Sequence, residues 1–393
     1  MAIKGADRLS LVEDYYFVKK LEEIRELNEQ GKKVINLGIG SPDMAPSQET
    51  VQALVHTASL PNSHGYQNYK GIPEFRKKVA EFYQKIYAVQ LDPNTEVLPL
   101  LGSKEGILHL SMAFLNPGDG ALIPDPGYPT YTSLTKLTGG KVVTYDLNES
   151  TGWYPDLVQI EKNGLEGVKL MWLNYPHMPT GTRADKVKLQ KIVDFAKANH
   201  ILLCHDNPYS QVLNEERPLS ILSLQGAKEV AVELNSFSKS FNMAGWRVGM
   251  MVGKAEFLNA ALRIKSNIDS GMFLGVQQAA IAALDNSEEW HLKRNQEYAD
   301  RRQYVYQILD YLNASYTKEQ TGLFIWAKVP DHITAVDKLI DNLLYKANVF
   351  ITPGSIFGKN GTRYIRISLC ASQASFMEAY ERIKKVPVAD LFS

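Results

Sequence analysis

Two cysteines in 393 residues, Cys204 and Cys370, are too few for a disulfide framework and form no CxxC metal pair. Both sit in apolar stretches, where a reduced, buried and inert thiol is expected. An excess of charge is also missing. Forty-three basic residues face forty-three acidic ones, so the formal net charge is zero. That balance excludes the electrostatic footprint of a nucleic-acid or anionic-membrane binder. No apolar run approaches the roughly 20 residues of a membrane helix. The opening "MAIKGADRLSLVEDYYFVKK" has no apolar core of signal-peptide length. Internal repeats, low-complexity tracts and disordered linkers are absent as well. The expectation is a cytoplasmic protein, without nucleic-acid or membrane partners, of a length that suits two domains.

What is present from about residue 100 is alternation. "GALIPD", "KVVTYDL", "VKLMWLNYP", "ILLCHD", "VAVELNSF" and "VGMMVG" read as strands bounded by Gly, Pro, Asn and Asp. Amphipathic patterns lie between several of them. In "DKVKLQKIVDFAKANH", Leu189, Ile192, Val193 and Ala196 recur at helical spacing, and Asp185 is placed to cap the first turn. Buried strands alternating with such helices predict an α/β fold with a mostly parallel sheet sandwiched by helices. Its ligands gather at the carboxyl ends of the strands. After about residue 285 the texture changes to a long helix, "SEEWHLKRNQEYADRRQYVYQILDYLN". A strand "GLFIWAKVP", a helix around "AVDKLIDNLLYKAN", a strand "RYIRISLC" and a last helix follow. This predicts a large domain over 46–284 and a smaller α+β domain over 285–393. The first 45 residues, with a polar helix "VKKLEEIRELNEQ", are expected to pack with the small one.

The stretch "NSFSKSFNMAGWRVG" places Lys239 between Ser238 and Ser240 and follows it with Arg247 among glycines. A lysine at a strand end can be a surface residue, a phosphate ligand or a Schiff-base amine. Three other clusters bear on the choice. In "GSKEGILHLSMAFL", Gly102 and Ser103 precede a helix expected over Ile107 to Leu115, whose N-terminal N–H groups can hold a phosphate. In "HDNPYS", Asp206 ends a buried strand, where a carboxylate needs a cation or donors, and Tyr209 follows. In "NYPHMPTGT", prolines and a glycine end a strand as a loop over a pocket would. Each has a plain explanation by itself: a glycine turn, a turn-forming aspartate, a loop. Together they supply a phosphate cradle, a carboxylate for a ring nitrogen, a phenol for a ring hydroxyl and an amine. That set matches pyridoxal 5'-phosphate. Ser236, Ser238 and Arg247 would join Gly102 and Ser103 around the phosphate, the guanidinium fork matching its oxygens.

Over nearly its whole length, and in the same motif order, the sequence resembles the class I/II aminotransferases of the fold-type-I pyridoxal-phosphate enzymes. The resemblance implies a seven-stranded-type sheet, a homodimer, and transfer of an amino group between an L-amino acid and a 2-oxo acid. It implies Lys239 as the Schiff-base lysine and proton carrier, and Ser236 and Arg247 on the phosphate. Tyr128 of "PDPGYPTY" is implied to stack on the pyridine, with Asp206 on the ring nitrogen and Tyr209 on the ring oxygen. Tyr66 of "HGYQNYKG" is implied to reach the partner's phosphate, Arg366 of "RYIRISLC" to clamp the substrate carboxylate, and Gly40 of "LGIGSPD" to sit beside it.

The motifs "GSKEGI", "PDPGYPTY" and "NIDSGMF" are most similar to the branch of LL-diaminopimelate, aspartate and aromatic aminotransferases. This implies roles for Lys104 at the cofactor or substrate, for Tyr15, or else Tyr16, at the substrate, and for Asn267 near the partner's site. One departure stands out. Met178 occupies the position where the family writes the asparagine that donates to the ring oxygen, and a thioether cannot donate. Tyr209 is then left to hold that oxygen alone or with Asn174. Two other functions share these residues: a carbon–sulfur lyase on the same cofactor, and a non-catalytic binding module. The fold alone does not separate them.

Overall fold

The computed structural model describes residues 3–12 and 16–392. Strand β1 (Ile35–Asn36) precedes a seven-stranded sheet built from β2 (Val97–Leu100), β3 (Gly120–Asp125), β4 (Lys141–Asp146), β5 (Val168–Asn174), β6 (Leu202–Asp206), β7 (Ala231–Ser236) and β8 (Gly249–Gly253). The sheet order is β2-β8-β7-β6-β5-β3-β4. From β4 through β7 every pairing is parallel, and β8 runs antiparallel to both its neighbours. Side chains of β5 alternate between two cores. Met171 and Leu173 join Leu189 and Val193 of helix Lys186–Ala198, while Leu170 and Trp172 join Ile107 and Leu110 of helix Ser103–Phe114. Burial on both faces explains why these strands read as continuous apolar runs. Asp185 caps as expected, its carboxylate accepting from the N–H groups of Val187 at 2.8 Å and Lys188 at 2.9 Å.

A three-stranded antiparallel sheet holds β11 (Thr352–Pro353), β12 (Tyr364–Ser368) and β9 (Phe324–Lys328), in that order. The short β10 (Val349–Phe350) pairs in parallel with β1. Ile24 of helix Tyr16–Glu29, Leu37 beyond β1, and Tyr298, Leu339, Phe350 and Ile367 share one core.

Two local features differ from the sequence reading. Strand β2 was not expected. Its "VLPL" is buried at every position, so it shows no alternation, and Pro99 is tolerated because the strand lies at the sheet edge. The helix expected from Ile107 begins at Ser103. Glu105 reaches back to accept from the Leu101 N–H at 2.7 Å, which holds the polar first turn in helical form. Cys204 is buried as expected, whereas Cys370 is partly exposed. Among the described residues no helix is long and apolar enough to cross a membrane.

Candidate active site

The carboxyl ends of β5, β6 and β7 face the N-terminus of helix Ser103–Phe114, the stretch after β1, and β12. Between them lies a cavity of about 450 Å³. Lys239, Asp206, Tyr209, Tyr128, Asn174, Ser103, Lys104, Ser236, Ser238, Arg247, Arg366 and Gly40 all line it.

Asp206 closes the floor. The Tyr131 hydroxyl donates to its Oδ2 at 3.0 Å, and the buried Oδ1 has no hydrogen-bond partner among the described residues. Burial raises its pKa to about 6 against the opposing Tyr131 hydrogen bond. A buried carboxylate oxygen of this kind is met by a cation or a donor. Tyr209 stands above it, edge-on to Phe324, and burial pushes its phenol pKa up.

Lys239 lies in the four-residue helical turn Phe237–Ser240, directly after β7. Ser236 caps that turn, its hydroxyl accepting from the Ser238 N–H at 3.2 Å. The ammonium donates to the Gly40 carbonyl. Removal from water lowers its pKa, and Arg366 and Arg247 lower it further. The neutral, nucleophilic amine is correspondingly easier to reach.

Gly102 precedes the helix with φ +88°, and a Cβ there would overlap the guanidinium of Arg247. A Cβ on Gly249 would likewise press on the Ser103 N–H at 2.6 Å. The absence of both side chains brings Arg247 and helix N–H donors to one spot beside Ser236 and Ser238, an arrangement that fits a phosphate. Lys104 opens on the same space, and burial followed by Arg247 lowers its pKa.

Arg366 is buried on β12. It donates from Nη2 to the Gly38 carbonyl at 2.7 Å and from Nη1 to the Met178 thioether at 3.3 Å. Its guanidinium lies over Phe324 at 3.9 Å, Phe357 at 4.6 Å and Phe17 at 5.6 Å. Gly40 is required here, because any side chain would collide with the Phe324 ring. Asn174 is committed to its own loop: Nδ2 donates to the Asp206 carbonyl at 2.6 Å, and Oδ1 accepts from the Met178 N–H at 2.7 Å. The buried Arg301 fixes the stretch after β1 by an ion pair with Asp43 at 2.6 Å.

Two expected residues, both assigned to the partner's site, do not line the cavity of their own chain. Tyr66 is 93% exposed and outside the cavity. Asn267 is exposed, its Nδ2 donating to the Arg263 carbonyl at 2.7 Å. Tyr15 falls outside the described residues, and its alternative, Tyr16, lines a neighbouring cavity instead. Helix Tyr16–Glu29 reaches the site through Phe17, Val18 and Leu21, which together with Phe324 and Tyr131 were missed. Only Tyr131 carried a signal, as the second tyrosine of "PDPGYPTY". It stacks on Trp172 with 5.0 Å between ring centroids.

The residues present therefore suit pyridoxal phosphate: an amine for its aldehyde, an unpartnered carboxylate oxygen for its ring nitrogen, and a cradle for its phosphate. Comparison with known proteins agrees. Residues 32–383 match the family model for aminotransferase class I and II. The LL-diaminopimelate aminotransferase of Moorella thermoacetica is 41% identical over 98% of both chains. That of Aquifex aeolicus is 40% identical over 97% of this chain and 98% of its own. The substrate-bound BacF structure from Bacillus subtilis superposes with a TM-score of 0.93 at 36% identity, covering 98% of each chain. The chain belongs to the aminotransferase class I and II family and is a pyridoxal-phosphate-dependent aminotransferase.

Proposed function

We propose that this enzyme moves an amino group from an L-amino acid to a 2-oxo acid with Lys239 as its central proton carrier. The observation that carries this reading is the convergence of the Lys239 amine, the unpartnered Asp206 oxygen and the Arg366 guanidinium on one cavity. Bound pyridoxal phosphate supplies an electron sink for the carbanion at the substrate's α-carbon.

Arg366 takes the substrate carboxylate in its planar fork, steadied by the Gly38 carbonyl and the Phe324 ring. Asp206 would hold the cofactor's ring nitrogen, and a protonated nitrogen there would keep Asp206 ionised. Tyr209 would meet the ring oxygen and Tyr128 would stack on the ring. Gly102, Ser103, Ser236, Ser238 and Arg247 would hold the phosphate, with Lys104 beside them. Lys239 Nζ removes the proton from the substrate α-carbon as a neutral amine, a state that its lowered pKa favours, and returns it as an acid.

The active form is a homodimer in which Tyr66, uncovered in the single chain, reaches the other protomer's phosphate. Residues 46–284 form the large unit and 285–393 the small one, with 1–45 packed on the latter. The two free cysteines suit the cytoplasm.

The test is a donor screen against 2-oxoglutarate and pyruvate, with LL-diaminopimelate first because relatives bear that name. Glutamate or alanine should accumulate with native protein and not with Lys239→Ala. Wild-type turnover in that variant, or pyruvate and ammonia released from a sulfur amino acid in place of amino transfer, overturns the assignment.

A further inference from the structure

Strand β3 ends at Asp125, just before the turn that carries Tyr128, and the reaction above gives this carboxylate no part. Both its oxygens are taken by one distant stretch of chain. The Lys359 N–H donates to Oδ2 at 3.0 Å and the Asn360 N–H to Oδ1 at 2.9 Å. Asn360 Nδ2 donates to the Asp125 carbonyl at 3.1 Å and to Oδ1 of Asp146, on the neighbouring strand β4, at 2.7 Å. Gly358 passes so close, at φ +139°, that a Cβ would overlap the Asp125 carboxylate. Beside it the Gly127 N–H donates to the Phe357 carbonyl at 2.8 Å. Every residue from 357 to 360 thus rests on the end of β3 or the turn after it. Burial raises the Asp125 pKa, and the Asn360 and Lys359 N–H groups oppose that rise. Hydrogen bonds to an ionised carboxylate are stronger than neutral ones, so this contact is a firm tie between the seven-stranded sheet and the chain that precedes β12.

The tie seats an aromatic ring. Phe357 is buried, 4.6 Å from the Arg366 guanidinium and edge-on to Trp326 with 6.0 Å between ring centroids. Phe324, which covers the same guanidinium, lies on β9 and is paired directly with β12. Phe357 has no such place in a strand. It closes the turn Gly354–Phe357, and its position over Arg366 depends on what holds that turn. A side chain that must present a fixed fork to a ligand needs its own orientation locked by packing.

We infer that Asp125 is a positioning residue for substrate binding: it clamps residues 357 to 360 to the large sheet and so holds the Phe357 ring on Arg366, keeping the guanidinium aimed at the substrate carboxylate.

The proposal rests on the function above in taking Arg366 as the carboxylate ligand, and its test separates the two. Asp125→Asn keeps the size but turns an amide NH2 against a backbone N–H. The KM for 2-oxoglutarate, or for pyruvate if that is the acceptor, should rise by about tenfold, with kcat within about twofold and cofactor absorbance and affinity unchanged. An unchanged KM, or a loss of cofactor affinity in its place, overturns the proposal. A merely structural role would lower the melting temperature and leave KM alone. Phe357→Leu should raise the same KM, and adding Asp125→Asn to it should raise it no further, because both act through one ring. Rises that multiply overturn the route through Phe357. Gly358→Ala, which disturbs the contact from the loop side, should reproduce the KM change if Asp125→Asn does not fold. In wild-type holoenzyme, amide hydrogen exchange should find the N–H groups of Asn360 and of the exposed Lys359 protected, and free exchange there overturns the clamp whatever the variants do. Wild-type protein that moves no amino group, or Arg366→Lys with native KM, would refute the proposed function, while the exchange result still decides the clamp.

Discussion

The Tyr131 hydroxyl donates to one oxygen of Asp206 and leaves the other buried with no hydrogen-bond partner among the described residues. One carboxylate therefore has a structural side and a chemical side. Tyr131→Phe keeps the stack on Trp172 and removes only the donor. That donor opposes the effect of burial, so its loss raises the Asp206 pKa beyond about 6. The acid limb of kcat/KM against pH should move up by about one unit. An unmoved limb would show that the hydrogen bond has no influence on ionisation.

Asp206 also burdens the fold. Its pKa is raised from 3.8 to about 6 in the cofactor-free protein. A carboxyl with a raised folded pKa contributes fully below the unfolded pKa, and that contribution is lost as pH rises through the folded pKa. The penalty at neutral pH is about 3 kcal/mol at most. Cofactor-free Asp206→Asn should melt higher than wild type near neutrality, with the gap closing toward about pH 4. Thermal denaturation across pH checks this, and a constant gap would contradict it.

Gly102→Ala places a methyl group against Arg247 at a backbone angle that favours glycine. A penalty of about 1–2 kcal/mol falls on the phosphate cradle, so cofactor affinity should drop by about tenfold or more. Titration of cofactor-free protein by absorbance measures it. Native affinity in the variant would remove Arg247 from the cradle.

Met178→Asn restores a donor where the thioether now faces Arg366. A donor that reaches the cofactor's ring oxygen stabilises its anionic form. The absorbance midpoint of the bound cofactor should fall by about one unit, and an equal or higher midpoint would refute this.

The lettering of the chain gave away the strands that carry the chemistry, because burial on both faces leaves unbroken apolar runs that end in Asn174, Asp206 and Ser236. Asp185 was legible because an N-cap is a local signal. Phe17 and Phe324 were not legible. They meet at Arg366 only through tertiary packing, and nothing in their own neighbourhoods marks them. β2 was hidden by its shortness and its proline. The contact of Asp125 with the Lys359 and Asn360 N–H groups was hidden because it joins distant parts of the chain.

Gly40 is bare because the Phe324 ring fills the space a side chain would need, and the same ring lies on Arg366. Remodelling the acceptor end for bulkier compounds is thus a two-site problem. A library varied at position 40 alone would return misfolded or carboxylate-blind clones, whereas trimming position 324 first opens room that position 40 can then use.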